Sequence, residues 1–276
     1  MENKPALYAV LRPILAGPDD LLLGYLTLDR EERRFTEHAL AQHTAMISNW
    51  YQLLALFRRA IAAIEPSPNG EPSSEGRVLR LQFIAASGGT MKLVLDATLA
   101  GYYAQALMLV RHLFETWLRL EYLHIRPDMA SAWYEGENGK EPKPPNYGTI
   151  LKTIRRSCGS NLRPLVEKVN ATVTHLNSMA HPSPYILQQT VGVRDNQHNV
   201  GANYVEDLCV YSLHEGLSAT RLIVTQLQRD APQAKEWHQE FKTVMENYET
   251  ILADEVQRKE QREGTAIQPF GTEVQG

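Results

Sequence analysis

From Thr90 to Ile125 the chain is apolar on nearly every side of a helical wheel, and this stretch limits the fold more than any other feature. A surface helix carries one apolar stripe, whereas a helix that is apolar all round belongs at the centre of a domain. The sequence therefore predicts a long central helix from Thr90 to Arg126, bent at Gly101 and stopped by Pro127. At about 100° per residue, Arg111 and Glu115 fall on one stripe with Ala100, Ala104, Leu107, Leu118 and Tyr122. An ion pair on that stripe is expected to face protein rather than water, and taking it out of water costs free energy.

The rest of the chain reads as further helices. Asp29-Arg-Glu-Glu32 opens an amphipathic run to about Ile64, with Leu40, Met46, Ile47, Trp50, Leu53, Leu54, Phe57 and Ile61 recurring at three and four. A Pro/Ser/Gly linker follows over 66–76, then a helix from Arg77 to Ala86 that the Ser87-Gly-Gly89 triplet is expected to end. Beyond Pro127 come a helical turn over Asp128–Glu135 and a polar loop over Gly136–Pro145. Helices follow at about 147–156, 162–180, 204–228 and 231–262. A short β hairpin near 186–200 interrupts the series, and the tail 263–276 is expected to be disordered. The fold class is all-α: a multi-helix bundle around a buried central helix, forming one domain over 1–262.

The charge balance narrows the function. A net charge of −4 and a pI near 6.2 argue against general binding to a nucleic-acid backbone, and the nearest basic patch, Lys152, Arg155, Arg156 and Arg163, reads as solvated helix faces and loop charges rather than as a nucleic-acid contact surface. Cys158 and Cys209 form no CxxC pattern, so neither a disulfide framework nor a zinc site is expected. The N-terminus lacks a charged-then-apolar leader, and charges interrupt Met91–Leu123. The expectation is a cytoplasmic protein without a membrane partner.

Two constellations carry chemistry. Arg111 precedes Glu115, the less favourable order for stabilising a helix, so helix propensity does not account for the pair. It is either a bridge that ties helices together or a site in which Arg111 holds an anion such as phosphate and Glu115 orients it. The second is Thr174-His-Leu-Asn-Ser-Met-Ala-His-Pro182, in which His175, Ser178 and His181 share a face at three-residue spacing and Asn177 adds an amide. A histidine near a helix end caps its last carbonyls, and beside an arginine it also suits acid–base work on phosphodiesters. Glu121-x-x-His124 has di-iron spacing but lacks the second such motif those sites need, so no metal and no cofactor is expected.

These residues support a resemblance. The run Gly101-Tyr-Tyr-Ala-Gln-Ala-Leu-Met-Leu-Val-Arg111-His-Leu-Phe-Glu115, then Tyr122-Leu, Pro127-Asp-Met-Ala-Ser-Ala-Trp133 and Ser178-Met-Ala-His181-Pro182, resembles a family of bacterial helical proteins distantly similar to the HEPN superfamily. The resemblance covers about 90–225 and implies a homodimer, with RNA or a nucleotide as ligand and metal-independent ribonuclease activity in stress or phage defence. The superfamily's catalytic motif is an arginine followed, after four to six residues, by a histidine. Here the three positions that would hold the arginine before His181 are Thr174, His175 and Leu176. In the enzymatic reading Arg111 substitutes for it, Glu115 orients Arg111 and His181 is the general acid or base, with Asn177, Ser178 and His175 binding substrate. In the other reading the cluster is a polar core of a non-catalytic binding or dimerisation module.

Overall fold

The computed structural model describes residues 18–64, 75–130, 133, 144–180, 191–194, 197–200, 206–230 and 237–263. Seven α-helices occur among them: α1 (Pro18–Ala62), α2 (Glu75–Leu99), α3 (Tyr103–Ile125), α4 (Tyr147–Ser157), α5 (Arg163–Ala180), α6 (Glu206–Asp230) and α7 (His238–Glu263). Two short strands, β1 (Val191–Arg194) and β2 (Gln197–Val200), pair antiparallel with Val191 opposite Val200, inside the span expected for a hairpin. The protein is all-α in its core, as the pattern predicts.

Helix α3 is the axis of the bundle. It packs against α2, α4, α5 and α6, while α1 lies on α2 and is covered on its far side by α7. The reason is its composition: Val110, Leu113, Phe114, Trp117, Leu120 and Leu123 are all essentially removed from solvent. Spacing of three and four places Met46, Ile47, Trp50, Leu53 and Phe57 of α1 in the same core. Helix α1 starts earlier than the sequence suggests, with Pro18 in its first turn, and is interrupted by non-helical backbone at His43 (φ −123°, ψ 28°).

The long helix expected over 90–126 is instead two helices, and the expected stop at Ser87–Gly89 is not one. Helix α2 runs straight through Gly88 and Gly89, and the break falls at Gly101, whose φ of 83° lies in the left-handed region that side chains disfavour. Gly88 serves a different need, since a Cβ there would stand 3.0 Å from the Phe57 ring of α1. The break is tied down by α1: Thr36 Oγ1 donates to Leu99 O at 3.3 Å, and Tyr102 OH donates to Glu32 Oε1. After α3, Pro127–Met129 forms one 3-10 turn where the helical turn over 128–135 is expected. The linker 66–76 yields to α2 at Glu75; the rest of the linker, most of the 136–145 loop and the tail from 264 lie outside the described residues.

A buried polar network fastens the far end of the bundle. Arg80 of α2 holds the Asp230 carboxylate through Nε and NH2 at 2.8 and 3.0 Å, and its NH1 donates to Leu123 O. Nearby, Glu121 of α3 accepts from Gln226 Nε2 on one oxygen and lies 3.5 Å from Arg229 NH1 on the other. Charges this deep persist only when partners replace the water they lose, and these have them.

Candidate anion site on the α3–α4–α5 flank

Arg111 and Glu115 are joined as their spacing implies, with Arg111 Nε donating to Glu115 Oε1 at 2.8 Å. Their surroundings correct the expectation. Met108 and His112 are exposed on the neighbouring stripe of α3, so Arg111 stands at the edge of the solvent face with its side chain 34% exposed, and Glu115 at 15%. Glu115 also accepts from Arg119 NH2 at 3.3 Å, so one carboxylate lies between two guanidinium groups a turn away on either side. The pair is thus part of a half-exposed ladder rather than a bridge buried in the core.

Helix α4 brings its N-terminal residue to this ladder. Asn146 caps α4 by accepting from Thr149 N at 2.9 Å, and this sets Tyr147 at the first helical position. The Tyr147 hydroxyl donates to Asn170 Oδ1 of α5 at 3.1 Å. Its acidity is lowered by burial first and then by the Glu115 charge, with Arg155 and Arg111 acting in the opposite direction. Arg155 in turn holds the Glu167 carboxylate of α5 through both oxygens, and Arg163 NH2 donates to Arg155 O at 3.1 Å. Arg111 and Arg155 thus act on Tyr147, Arg119 shares Glu115 with Arg111, Arg163 bonds the Arg155 carbonyl, and α4 adds exposed Lys152 and Arg156. His112, which no sequence motif singles out, borders the ladder. Although its outer edge meets solvent, the packing around its ring first and the Arg119 charge second hold its imidazole below the ordinary 6.5.

The α5 residues expected to join Arg111 divide between two flanks. Asn170 and Asn177 are seven residues apart and share a stripe, so half-buried Asn177 lies on the side of α5 that meets Tyr147. His175 turns the other way, its exposed ring meeting the edge of Tyr211 of α6 at 6.3 Å. Ser178 Oγ donates to His175 O at 2.6 Å, a backbone contact. Among the described residues no hydrogen bond or ion pair joins Arg111 or Glu115 to Asn177, Ser178 or His175. His181 directly follows the last residue of α5 and lies outside the described residues.

A second polar group lies on α6, the helix whose Tyr211 meets His175. His214 Nδ1 lies 3.0 Å from Tyr248 OH of α7, with the two rings stacked at 6.2 Å. Beside it, burial raises the Glu215 carboxyl above its ordinary range while the Lys168 charge acts to lower it. Burial, with Lys168 second, lowers the His214 imidazole. Tyr211 and Tyr248 are pushed up by burial and by Glu215. The helical spacing of Tyr211 and Glu215 is a signal present in the sequence, but the Tyr248 contact depends on how α6 and α7 pack.

Glu121 of the Glu-x-x-His motif has both oxygens taken up by Gln226 and Arg229, and His124 is exposed at the end of α3. Among the described residues no three His, Cys, Asp or Glu side chains converge as a metal site. In comparison with known proteins, no family model matches the chain, and neither a curated protein nor a solved structure matches it.

Proposed function

We propose that this protein is a helical module that binds the phosphate backbone of RNA along the α3–α4–α5 flank. One observation supports this most: Arg111 and Arg155 both act on Tyr147, with Arg119 joined to the first through Glu115 and Arg163 to the second through its carbonyl, in a chain whose net charge is −4. Guanidinium groups already held by Glu115 and Glu167 are pre-oriented and keep donors to spare for phosphate oxygens. Lys152 and Arg156, exposed on α4, extend the surface along a backbone. This reading keeps the resemblance to HEPN-type proteins as a binding role.

Cleavage is the second reading, favoured by the stripe on which Asn170 and Asn177 point α5 toward Tyr147. His181 then supplies the acid or base on a ribose hydroxyl or leaving oxygen, and Arg111 supplies charge to the phosphate.

The test is fluorescence anisotropy of labelled single-stranded RNA over a salt series, with wild type beside the Lys152→Glu/Arg156→Glu double variant. Affinity that falls steeply with salt and is lost in the variant supports the proposal. RNA left unbound by the wild type at low salt overturns it. The same RNA incubated in EDTA separates the two readings: fragments from wild type and none from His181→Ala identify a ribonuclease, and intact RNA leaves a binding module.

A further inference from the structure

Helices α1 and α7 run antiparallel and leave a groove along their outer side. Arg59 meets Glu240 at one end, Asn49 meets Val244 midway, and Ala45 and Ser48 share the other end with Thr250 and Ile251. Two depressions of about 420 and 330 Å³ follow one another along the groove, and exposed Gln52 stands where they join. From Ala45 to Arg59 it is roughly 20 Å long at about 1.5 Å per helical residue. Small Ala45, Ser48 and Ala55 keep its α1 wall low.

Charge and one hydrogen bond select the occupant. Among the described residues of the lining, Arg59 and Glu240 carry the charge, and they hold each other at 2.7 Å while Arg59 also sits over the Trp237 ring at 4.4 Å. The other polar groups are amides and hydroxyls, so the groove suits an uncharged ligand. Asn49, only 3% exposed, lines the second depression; its Nδ2 donates to Val244 O at 2.8 Å and its Oδ1 has no partner. The amide cannot be turned over, because its oxygen would then face the Val244 carbonyl. A buried amide oxygen calls for a donor.

We propose that the α1–α7 groove binds an uncharged peptide segment in extended form, one of whose main-chain N–H groups donates to Asn49 Oδ1 as Gln52, one turn on, swings aside. About six extended residues span the groove at roughly 3.3 Å each. A helix is one rival occupant, but its main-chain N–H groups are taken up by its own carbonyls. A saccharide is another, but its apolar ring face packs on aromatic side chains, and none of the described lining residues is aromatic. The groove shares no helix with the anion flank, and this inference does not depend on RNA binding.

The experiment probes the full chain, fluorescently labelled, with an array of capped heptapeptides of random sequence, some uncharged and some carrying lysine or glutamate. Uncharged peptides are expected to bind, with affinities that do not change over a salt series. Ala45→Trp and Ala55→Trp fill the groove from exposed positions, and each is expected to abolish binding. Scanning a bound peptide with N-methyl residues leaves the protein itself unaltered. Methylation at one interior position is expected to weaken binding about tenfold, as for the loss of one hydrogen bond. In Asn49→Ala, which lacks the acceptor, the same methylation is expected to change nothing. Failure of every uncharged peptide to bind, binding that survives both tryptophans, a scan without such a position, or capture by a saccharide array in place of the peptides overturns the proposal. Circular dichroism matching wild type shows that the variants are folded.

Discussion

Arg80 and Asp230 meet fork to fork across 150 residues of sequence, with side chains only 11% and 3% exposed. This contact joins the start of α2 to the end of α6, and Arg77 Nε reinforces it by donating to Asp230 O at 3.2 Å. Replacing Arg80 by Ala leaves a buried carboxylate without its partner, and removing one side of such a pair costs about 3–5 kcal/mol. Urea denaturation is the measurement. A loss well below 1 kcal/mol would mean that water reaches Asp230 and compensates.

Gly216 of α6 lies against Trp50 of α1, and a Cβ on Gly216 would overlap the indole ring, with Val94 Cγ1 at 3.1 Å on another side. Trp50 is wholly buried and its neighbours are rigid core, so the overlap has little room to relax. Gly216→Ala is expected to destabilise by about 1–3 kcal/mol, the usual cost of overpacking. The corresponding change at Gly89, where a Cβ meets nothing within 4 Å, is expected to be neutral or mildly stabilising in a helix. Paired melting curves of the two variants check the contrast.

The all-α class was legible because apolar residues recur at three and four in the outer helices and fill nearly every side of the stretch from Thr90 to Ile125, signals that survive without tertiary information. The helix break was not, because glycine has two uses that look alike in a sequence. Gly101 supplies a left-handed turn, and Gly88 supplies close approach to Phe57. The Arg111–Glu115 bond was legible from its spacing, but its burial was not. Which stripe of α3 meets solvent depends on where α4 and α5 lie, and exposed Met108 and His112 shift that boundary to Arg111. Contacts such as Arg80–Asp230 and His214–Tyr248 carry no local signature at all.

The His214 and Glu215 shifts have opposite consequences for stability against pH. His214 has its folded value lowered below 6.5, chiefly by burial, so the unfolded chain binds more protons there and stability falls as pH drops through about 6.5. Glu215 has its folded value raised, chiefly by burial, so its neutral form is favoured in the fold. That contribution is present at acid pH and is lost as pH rises through the raised value. Glu215→Gln mimics the neutral acid. It is expected to raise the melting temperature at pH 7–8, with the gain shrinking toward pH 4–5. His214→Gln is expected to flatten the acid side of the wild-type profile. A Glu215→Gln variant less stable than wild type at pH 8 would show that Lys168 outweighs burial.

Arg111 and Glu115 give the sharpest test of the anion site, because a binding surface and a structural bridge respond differently to the same two substitutions. Arg111 is one-third exposed, and Glu115 keeps Arg119 when Arg111 is removed, so Arg111→Ala is expected to cost only about 0.2–1 kcal/mol, the range of an exposed pair. Glu115→Gln removes the one negative charge between two guanidinium groups. If the ladder serves phosphate, RNA affinity falls with Arg111→Ala and rises with Glu115→Gln, and the salt slope changes by about one unit in opposite directions. If the ladder only braces α3, both variants lose stability and neither changes affinity. Anisotropy titrations at two salt concentrations, with melting curves on the same preparations, separate the two because the predicted signs differ for Glu115→Gln.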